Sequence, residues 1–394
     1  MILSSKNTVG LALILGSVTA MTPLAVDMYL PAFPTIAEDL KAPPAGVQLS
    51  LTSFFIGLAV GQLCYGPAAD KFGRKIPLLV GLLIAVLASL LCATAPTIDA
   101  LIVYRFLQAL GVCSGAVIAR AIVRDVFEPR EGARFFSLLM AIMGVAPILA
   151  PLAGAVVAST LGWPWIFNLI SAFGFMALIA TALLLPETHA GNSGVRFSRA
   201  FHTYADILRN RSFLKYALAG GIANAGMFAY IAGATLVIQG YYGMSADFFA
   251  VAFGSNAFGL IALTQLNRYL LKRHPFSAIL KVGFTILLVA GLALLVAGAL
   301  DAPLYVFLMP LFLFLASLGM VMPNSMAGAL ATEDTRAGAA SALSGALTFS
   351  SAFVSSAVVG MVPDKTPLAL ASVMGACAVI AFLVSRLPEQ ASPE

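Results

Sequence analysis

The chain is written as apolar blocks of about 20 residues, parted by short polar turns. That pattern excludes most folds. A helix rises ~1.5 Å per residue, so about 20 residues cross a hydrocarbon layer ~30 Å thick. In lipid the backbone must satisfy its own hydrogen bonds, which leaves helices or closed barrels. A barrel would show short alternating segments. Composition agrees: 60% of the 394 residues are hydrophobic and 10% are charged, against about 25% charged in a soluble domain. The expected fold class is an all-α, multi-pass membrane protein.

Twelve blocks are found, at roughly 9–31, 47–69, 76–95, 99–121, 135–158, 164–186, 212–240, 247–269, 275–299, 303–324, 338–361 and 366–386. The longest polar stretch, 187–211, contains Gly191, Asn192, Ser193 and Gly194 and then Arg196, Arg199, Arg209 and Arg211. It reads as a linker. The expected domains are a six-helix half over 1–186, a cytoplasmic linker over 187–211 and a second half over 212–394. Lys6 precedes a long first run, which is expected to stay as a span and not be cut as a signal. The turn after block two is ADKFGRKIP and that after block eight is LNRYLLKRHP, with Asn267 near the place of Asp70. Both are short and basic and end in proline. Two pseudo-symmetric halves of this kind form one transporter architecture.

Charge sets the expected orientation. With both termini inside, the inner turns hold Lys71, Arg74, Lys75, Arg124, Arg130, Arg134, Arg268, Lys272, Arg273, Arg336 and the linker arginines. The outer turns hold only Lys41 and Lys365. The positive-inside rule therefore places both ends in the cytoplasm. The net charge of +5 is accounted for by these topology signals and implies no nucleic acid. Cys64, Cys92, Cys113 and Cys377 lie inside apolar blocks, with no disulfide framework or metal spacing. His189, His202 and His274 fall in or beside inner turns. No hydrolytic or redox constellation and no phosphate-cradling loop is present, so an enzyme or a self-contained ATP-driven pump is not expected. No ring of like charge marks a channel.

Ionisable residues within spans are few and therefore informative. Asp27 lies in the first span, in TPLAVDMYLPAFP, and Arg105 in the fourth, in YRFLQALG. Either would be costly in lipid and should face a cavity or a partner. Each lies roughly 10 Å below the outer edge, at ~1.5 Å per residue, so the two share a level. Desolvation favours a neutral acid and a nearby guanidinium favours the carboxylate. Two roles are open to the pair: a proton-binding Asp27 beside a cationic Arg105, or a static interhelical ion pair. Arg120, at the inner end of the same span, reads as a residue snorkelling to the headgroups.

The turn GPAADKFGRKIPLL interrupts the apolar text with Asp70, Lys71, Arg74 and Lys75. Gly66 would let span two approach a neighbour, and Gly73 would let the turn tighten. Asp70 can pair with Arg74 one helical turn on. A topology signal or a breakable latch would both fit. In span five, GVAPILAPLAGA carries Pro147 and Pro151, which remove backbone hydrogen bonds, and Gly144 and Gly154, which leave a smooth face. GLAVG, with Gly57 and Gly61, and GVCSG, with Gly111 and Gly115, are further small-residue faces. Asn224, Met227, Phe228 and Tyr230 cluster in span seven, and Asn256, Asn324 and Phe349 follow in later spans. Aromatic, methionine and amide side chains together suit a permissive pocket.

These motifs resemble the major facilitator superfamily, and within it the Bcr/CflA-type drug:proton antiporters. The resemblance covers nearly the whole chain. GPAADKFGRKIPLL is similar to the family's loop motif at Gly66, Asp70, Gly73, Arg74 and Lys75, with Lys71 where arginine is usual. RFLQALG resembles the fourth-span motif at Arg105, Gln108 and Gly111, with Ala109 for a glycine. APILAPLAG resembles the antiporter motif of span five, with Ala150 and Ala153 where glycine is frequent. DMYLPAFP, with Tyr29, and PET, at Pro186, Glu187 and Thr188, fit the same subgroup.

The resemblance implies twelve helices in the superfamily fold. It implies Asp27 as proton carrier and part of a drug pocket, together with Tyr29, Arg105 and Gln108. It also implies a conformational latch of Asp70, Arg74 and Asp125. Thr19 stands where some relatives have a second acid, which leaves one obvious membrane carboxylate for coupling. The implied function is proton-coupled export, by alternating access, of small amphipathic drugs such as amphenicols, sulfonamides or bicyclomycin. The alternative is a metabolite or amino-acid exporter, or a proton symporter, of the same fold. The expected setting is the bacterial inner membrane, as a monomer, with small-molecule substrate, protons and lipid as partners, no metal, and the proton gradient in place of a cofactor.

Overall fold

The computed structural model describes residues 5–192, 197–333, 336–361 and 366–388. Within these, the side chains of 5–8, 44, 129–130, 132–134, 136–138, 140–144, 147 and 197–198 are not described. All regular structure among the described residues is helical.

The first unit spans Met1–Ala200. It holds α1 (Ser5–Asp27), a 3-10 turn (Leu30–Ala32), α2 (Phe33–Asp39), α3 (Pro44–Phe72), α4 (Lys75–Ala93), α5 (Ile98–Val126), α6 (Pro129–Thr160) and α7 (Pro164–Leu184). Then comes α8 (Phe197–Ile207), which runs across the unit boundary. The second unit spans Phe201–Glu394. It holds α9 (Arg211–Thr235), extended by a π-helical turn (Leu236–Tyr241), then α10 (Ala246–Leu270), α11 (Phe276–Ala299), α12 (Leu304–Ala331), α13 (Ala337–Met361) and α14 (Pro367–Ser385).

Local chemistry sets the ends. Proline opens α3, α6, α7 and α14, where its missing N–H has no partner to lose. Thr97, Asn210 and Ser245 cap α5, α9 and α10 by accepting N–H bonds from the first turn. Gly73, at φ +85°, ends α3 in a conformation that other residues resist.

Eleven segments are long and apolar enough to cross a membrane. The twelfth span is α6, whose apolar stretch Ile148–Thr160 is shorter among the described residues. This is a multi-pass membrane protein. The two units repeat one pairing scheme. α3 packs on α5, α4 on α5 and α7, and α1 on α5, α6 and α7. Likewise α10 packs on α12, α11 on α12 and α14, and α9 on α12, α13 and α14. The apolar face of each helix thus finds the equivalent neighbour in each half.

One feature departs from the sequence expectation. The first block does not end at residue 31; the chain turns at Leu30–Ala32 and adds α2. The 187–211 stretch, read as a linker, carries α8 over Phe197–Ile207. The Gly57 and Gly61 face does serve close packing. A Cβ on Gly57 would stand 2.5 Å from the Phe106 carbonyl of α5, and one on Gly61 2.7 Å from Cys113 Cβ. Ser193, Gly194, Arg196 and Lys365 lie outside the described residues.

Candidate functional site

In the first unit the site begins where α1 stops. Pro31 has no N–H to close on the Asp27 carbonyl, so the helix ends at Asp27 and leaves last-turn carbonyls for other donors. Arg105 of α5 uses one of them: its Nη1 donates to the Ala25 carbonyl at 2.9 Å. A cation at a helix C-terminus is favoured by the helix dipole. The same Nη1 donates to Gln108 Oε1 at 2.5 Å, and Gln108 Nε2 donates to Ser89 Oγ of α4 at 2.7 Å. The chain of bonds ties α1, α5 and α4 together.

Arg105 is fully buried. Its guanidinium carbon lies 4.6 Å from the Tyr29 ring centroid, 4.2 Å from Phe54 and 5.7 Å from Phe167. Nε and Nη2 have no hydrogen-bond partner, so the faces of these rings provide the compensation for that charge. Tyr29 is held in turn by a 2.7 Å bond between its hydroxyl and Ser50 Oγ.

Asp27 is 4% exposed, and among the described residues no hydrogen bond or ion pair reaches its carboxylate. The structure therefore brings Arg105 to the span of Asp27 but not to its side chain. The static ion pair that the sequence left open is absent. Thr19 is also buried, with its hydroxyl bonded to its own helix at Leu15 and Gly16. Arg120 does not simply snorkel; it is half-buried and donates to Gln62 Oε1 of α3 at 3.1 Å.

Gly154 of α6 packs against the backbone of Met28, where a Cβ would strike the carbonyl. Pro151 is buried one turn earlier, and α6 continues as helix through it. Gly144 and Pro147 are helical in backbone, and their side chains lie outside the described ones. A groove of about 450 Å³ runs between α1 and α6, lined by Ala20, Leu24, Val145, Leu149, Ala150 and Ala153 among others.

At the other end of the unit, Arg74 stands between two acids. Nη1 donates to Asp70 Oδ1 at 2.6 Å, and Nε donates to Asp125 Oδ2 at 2.7 Å. Burial alone would lower the guanidinium pKa; the hydrogen bonds to Asp125 and Asp70 outweigh it and raise the value. Gly66 lies half-buried on α3.

Sequence reasoning missed the part played by Glu187. Its carboxylate accepts from the backbone N–H of Arg74 (2.7 Å), Lys75 (3.1 Å), Thr188 (3.1 Å) and His189 (3.2 Å). Burial raises its pKa, but these four amides lower it further and leave it below the ordinary carboxylate value. A Cβ on Gly73 would come within 2.6 Å of Glu187 Oε2, so the glycine makes room for this cap. Asn192 N–H donates to the Asp70 carbonyl at 3.0 Å. Residues 187–192 thus strap down the 70–75 turn. The signal was available: an acid just past a span, beside the N-terminus of α4.

In the second unit, Asn224 is buried with its Oδ1 unpartnered. Phe228 meets Phe349 at 5.8 Å between ring centroids. Asn256 Nδ2 donates to the Tyr230 hydroxyl at 3.0 Å, and Tyr230 stacks on Phe253. Met227 is half-buried on the same helix. Asn324, expected with this set, instead donates to Asn267 Oδ1 at 2.7 Å. Asn267 lies eleven residues past Asn256 on α10, or ~16 Å along the helix. Asn324 therefore belongs to a packing contact at the loop end. No cluster of His, Cys, Asp or Glu suited to a metal is found among the described residues.

Residues 15–361 match the family model described as Major Facilitator Superfamily. The chain is 37% identical over 385 residues to an uncharacterized MFS-type transporter, YdgK, of Bacillus subtilis, covering 96% of this chain and 95% of that one. It is 29% identical over 380 residues to a bicyclomycin resistance protein homolog of Haemophilus influenzae, covering 96% of each. It is 29% identical over 323 residues to the multidrug resistance protein MdtL of Klebsiella pneumoniae, covering 82% and 81%. The D-xylose-proton symporter structure superposes with TM-score 0.77 at 14% identity, covering 98% and 99%. A bacterial homolog of the human lysosomal transporter Spinster does so at 0.75 and 16%, covering 97% and 98%. With the family model running over most of the chain and the relatives end to end, the protein belongs to the Major Facilitator Superfamily and is a membrane transporter.

Proposed function

We propose that the protein is a proton-coupled antiporter that exports small amphipathic drugs, such as amphenicols, sulfonamides or bicyclomycin. The observation that carries this reading is Asp27: a buried carboxylate that no basic partner among the described residues neutralises, at the broken end of α1. A carboxylate already held in an ion pair would resist protonation; an unpaired one can exchange a proton with its surroundings. The relatives named for bicyclomycin and multidrug resistance support the substrate class.

In this reading deprotonated Asp27 favours drug binding from inside, and protonation from outside displaces the drug. Each ligand prefers a different charge state of one group, and that exclusion provides the coupling. Tyr29, Arg105 and Gln108, with Asn224, Met227, Phe228, Tyr230, Asn256 and Phe349, would contact substrate. Gly66, Asp70, Gly73, Arg74 and Asp125 would latch one conformation, and Gly144, Pro147, Pro151 and Gly154 would favour export. The halves 1–186 and 212–394, joined by 187–211, would work by alternating access in the bacterial cytoplasmic membrane. Both termini would be cytoplasmic, the chain a monomer, and the proton gradient the energy source, with no cofactor.

The test is substrate-triggered proton movement in proteoliposomes, comparing wild type with Asp27→Asn over amphenicols, sulfonamides, bicyclomycin and lipophilic cations. A drug that moves protons in wild type and not in the variant carries the proposal. Full coupling in Asp27→Asn would remove Asp27 from the mechanism, and a pH change of opposite sign would mean uptake.

A further inference from the structure

α5 carries a second arginine inside a membrane span, Arg120, and its surroundings differ from those of Arg105. Its Nη2 donates to Gln62 Oε1 of α3 at 3.1 Å. Among the described residues no other hydrogen bond and no ion pair reaches it. The packing of the two helices sets the level of that contact. Gly57 of α3 packs on Ala109 of α5 and Gly61 on Cys113, so Gln62 stands level with Ser114, near the middle of α5. Arg120 lies six residues nearer the Asp125 end, ~9 Å along the helix. To meet Gln62, its side chain runs back toward the middle of the span. An arginine snorkelling out of the Asp125 end would run the other way.

No acid balances this charge among the described residues. Gly115 of α5 packs on Val18 of α1, and Asp27 lies nine residues beyond Val18, ~13 Å along α1. Asp70 and Asp125, at the opposite end, are held by Arg74. The spare N–H groups of Arg120 are not sealed off. Arg105 has two nitrogens that are buried without a partner, and Arg120 has none, so its free donors reach the surface of the molecule. That surface is unlike the lipid-facing side of α4, which exposes Val80, Leu83, Leu87 and Leu90. α5 exposes no large hydrophobic side chain beyond Val103. A charge within a span that does not face lipid faces water, and in a transporter such water marks the path of substrate.

We propose that Arg120, oriented by Gln62, contacts substrate: its spare N–H groups bind the anionic group of an amphipathic acid, such as a carboxylate or an ionised sulfonamide. The planar guanidinium offers paired donors that match two acceptor oxygens. A neutral compound leaves the charge unanswered, so the site favours the ionised form. The inference rests on the transport of small amphipathic molecules proposed above, and not on Asp27 as the coupling group.

The test is equilibrium dialysis of the purified full-length protein with two probe pairs: naphthoate with naphthamide, and ionised sulfadiazine with its N-methyl form, which cannot ionise. Wild type should bind the ionised member of each pair at least about tenfold more tightly than its neutral partner. Arg120→Gln should erase that ratio while leaving the affinity for the neutral member as in wild type. Gln62→Glu keeps the guanidinium but gives it a carboxylate of the protein's own. It should erase the ratio in the same way, and it reads the same point if Arg120→Gln does not fold. Equal binding of both members by wild type would overturn the proposal, and so would a ratio that survives either substitution. Proton movement in proteoliposomes separates this inference from the antiporter reading. Its absence in wild type would remove the antiporter and leave the binding ratio standing.

Discussion

Arg105 donates to the carbonyl of Ala25 at 2.9 Å, two residues short of the Asp27 carboxylate. Among the described residues, the most buried cation of the first unit is thus satisfied by a helix end, an amide and three aromatic rings, and the nearby acid is left unpaired. Two variants should then separate cleanly. Arg105→Lys keeps the charge but loses the planar stacking and the shared Nη1 bonds. It is expected to cost about 2 kcal/mol, read as a lower thermal midpoint in detergent. Asp27→Asn removes no bond among the described residues, so it should leave the midpoint unchanged or raised while abolishing coupling. A large loss of stability in Asp27→Asn would show that the carboxylate is structural.

The Arg74 contacts are unequal. Asp70 is 52% exposed and Asp125 19%. Water competes for the first pair far more than for the second. Asp70→Asn is expected to cost about 0.5 kcal/mol, and Asp125→Asn about 2 kcal/mol. Added salt should weaken the Asp70 contribution first. Thermal midpoints of the two variants, measured at low and high salt, check the order. Equal losses would mean that Arg74 is held by the turn and not by its acids.

The Glu187 cap predicts a pH signature. Its folded pKa lies below its ordinary value of 4.5 because four backbone amides hold the anion. A depressed acid contributes stability that is present above the ordinary value and is lost as pH falls through the folded one. The midpoint gap between wild type and Glu187→Gln should therefore be constant near neutrality and close only in acid, below about pH 4. A gap that persists unchanged into strong acid would mean that glutamine loses packing and not a charge-assisted cap.

The spans were legible because hydropathy over about 20 residues answers directly to bilayer thickness. The Asp70–Arg74 contact was legible from its i, i+4 spacing. Asp125 was reached only through the family resemblance, since nothing local in VRDVF points toward a turn 51 residues earlier. α8 was hidden by its polarity: its apolar residues show at helical spacing but not as a block. Arg105 was placed at the right depth, but sequence records charges and not free carbonyls. It pointed to Asp27, while the Pro31 break offered the Ala25 oxygen. Asn324 and Asn256 carry the same amide, and only their depth along the helices separates the contact with Asn267 from the contact with Tyr230.

Gly154 offers the last test, because it fixes how closely α6 approaches the end of α1. A methyl group there would strike the Met28 carbonyl, one residue past Asp27. The backbone cannot yield as a flexible side chain could, so Gly154→Ala should cost about 1–3 kcal/mol and displace Asp27. Gly10 on α1 has open space around its Cβ position. Gly10→Ala should therefore stabilise by about 0.5–1 kcal/mol, through helix propensity alone. If α6 positions the carboxylate, drug-triggered proton release falls in Gly154→Ala and is unchanged in Gly10→Ala, with both proteins reconstituted to equal density. A Gly154→Ala protein as stable and as well coupled as wild type would mean that the two helices can part without moving Asp27, and the contact would then be packing alone.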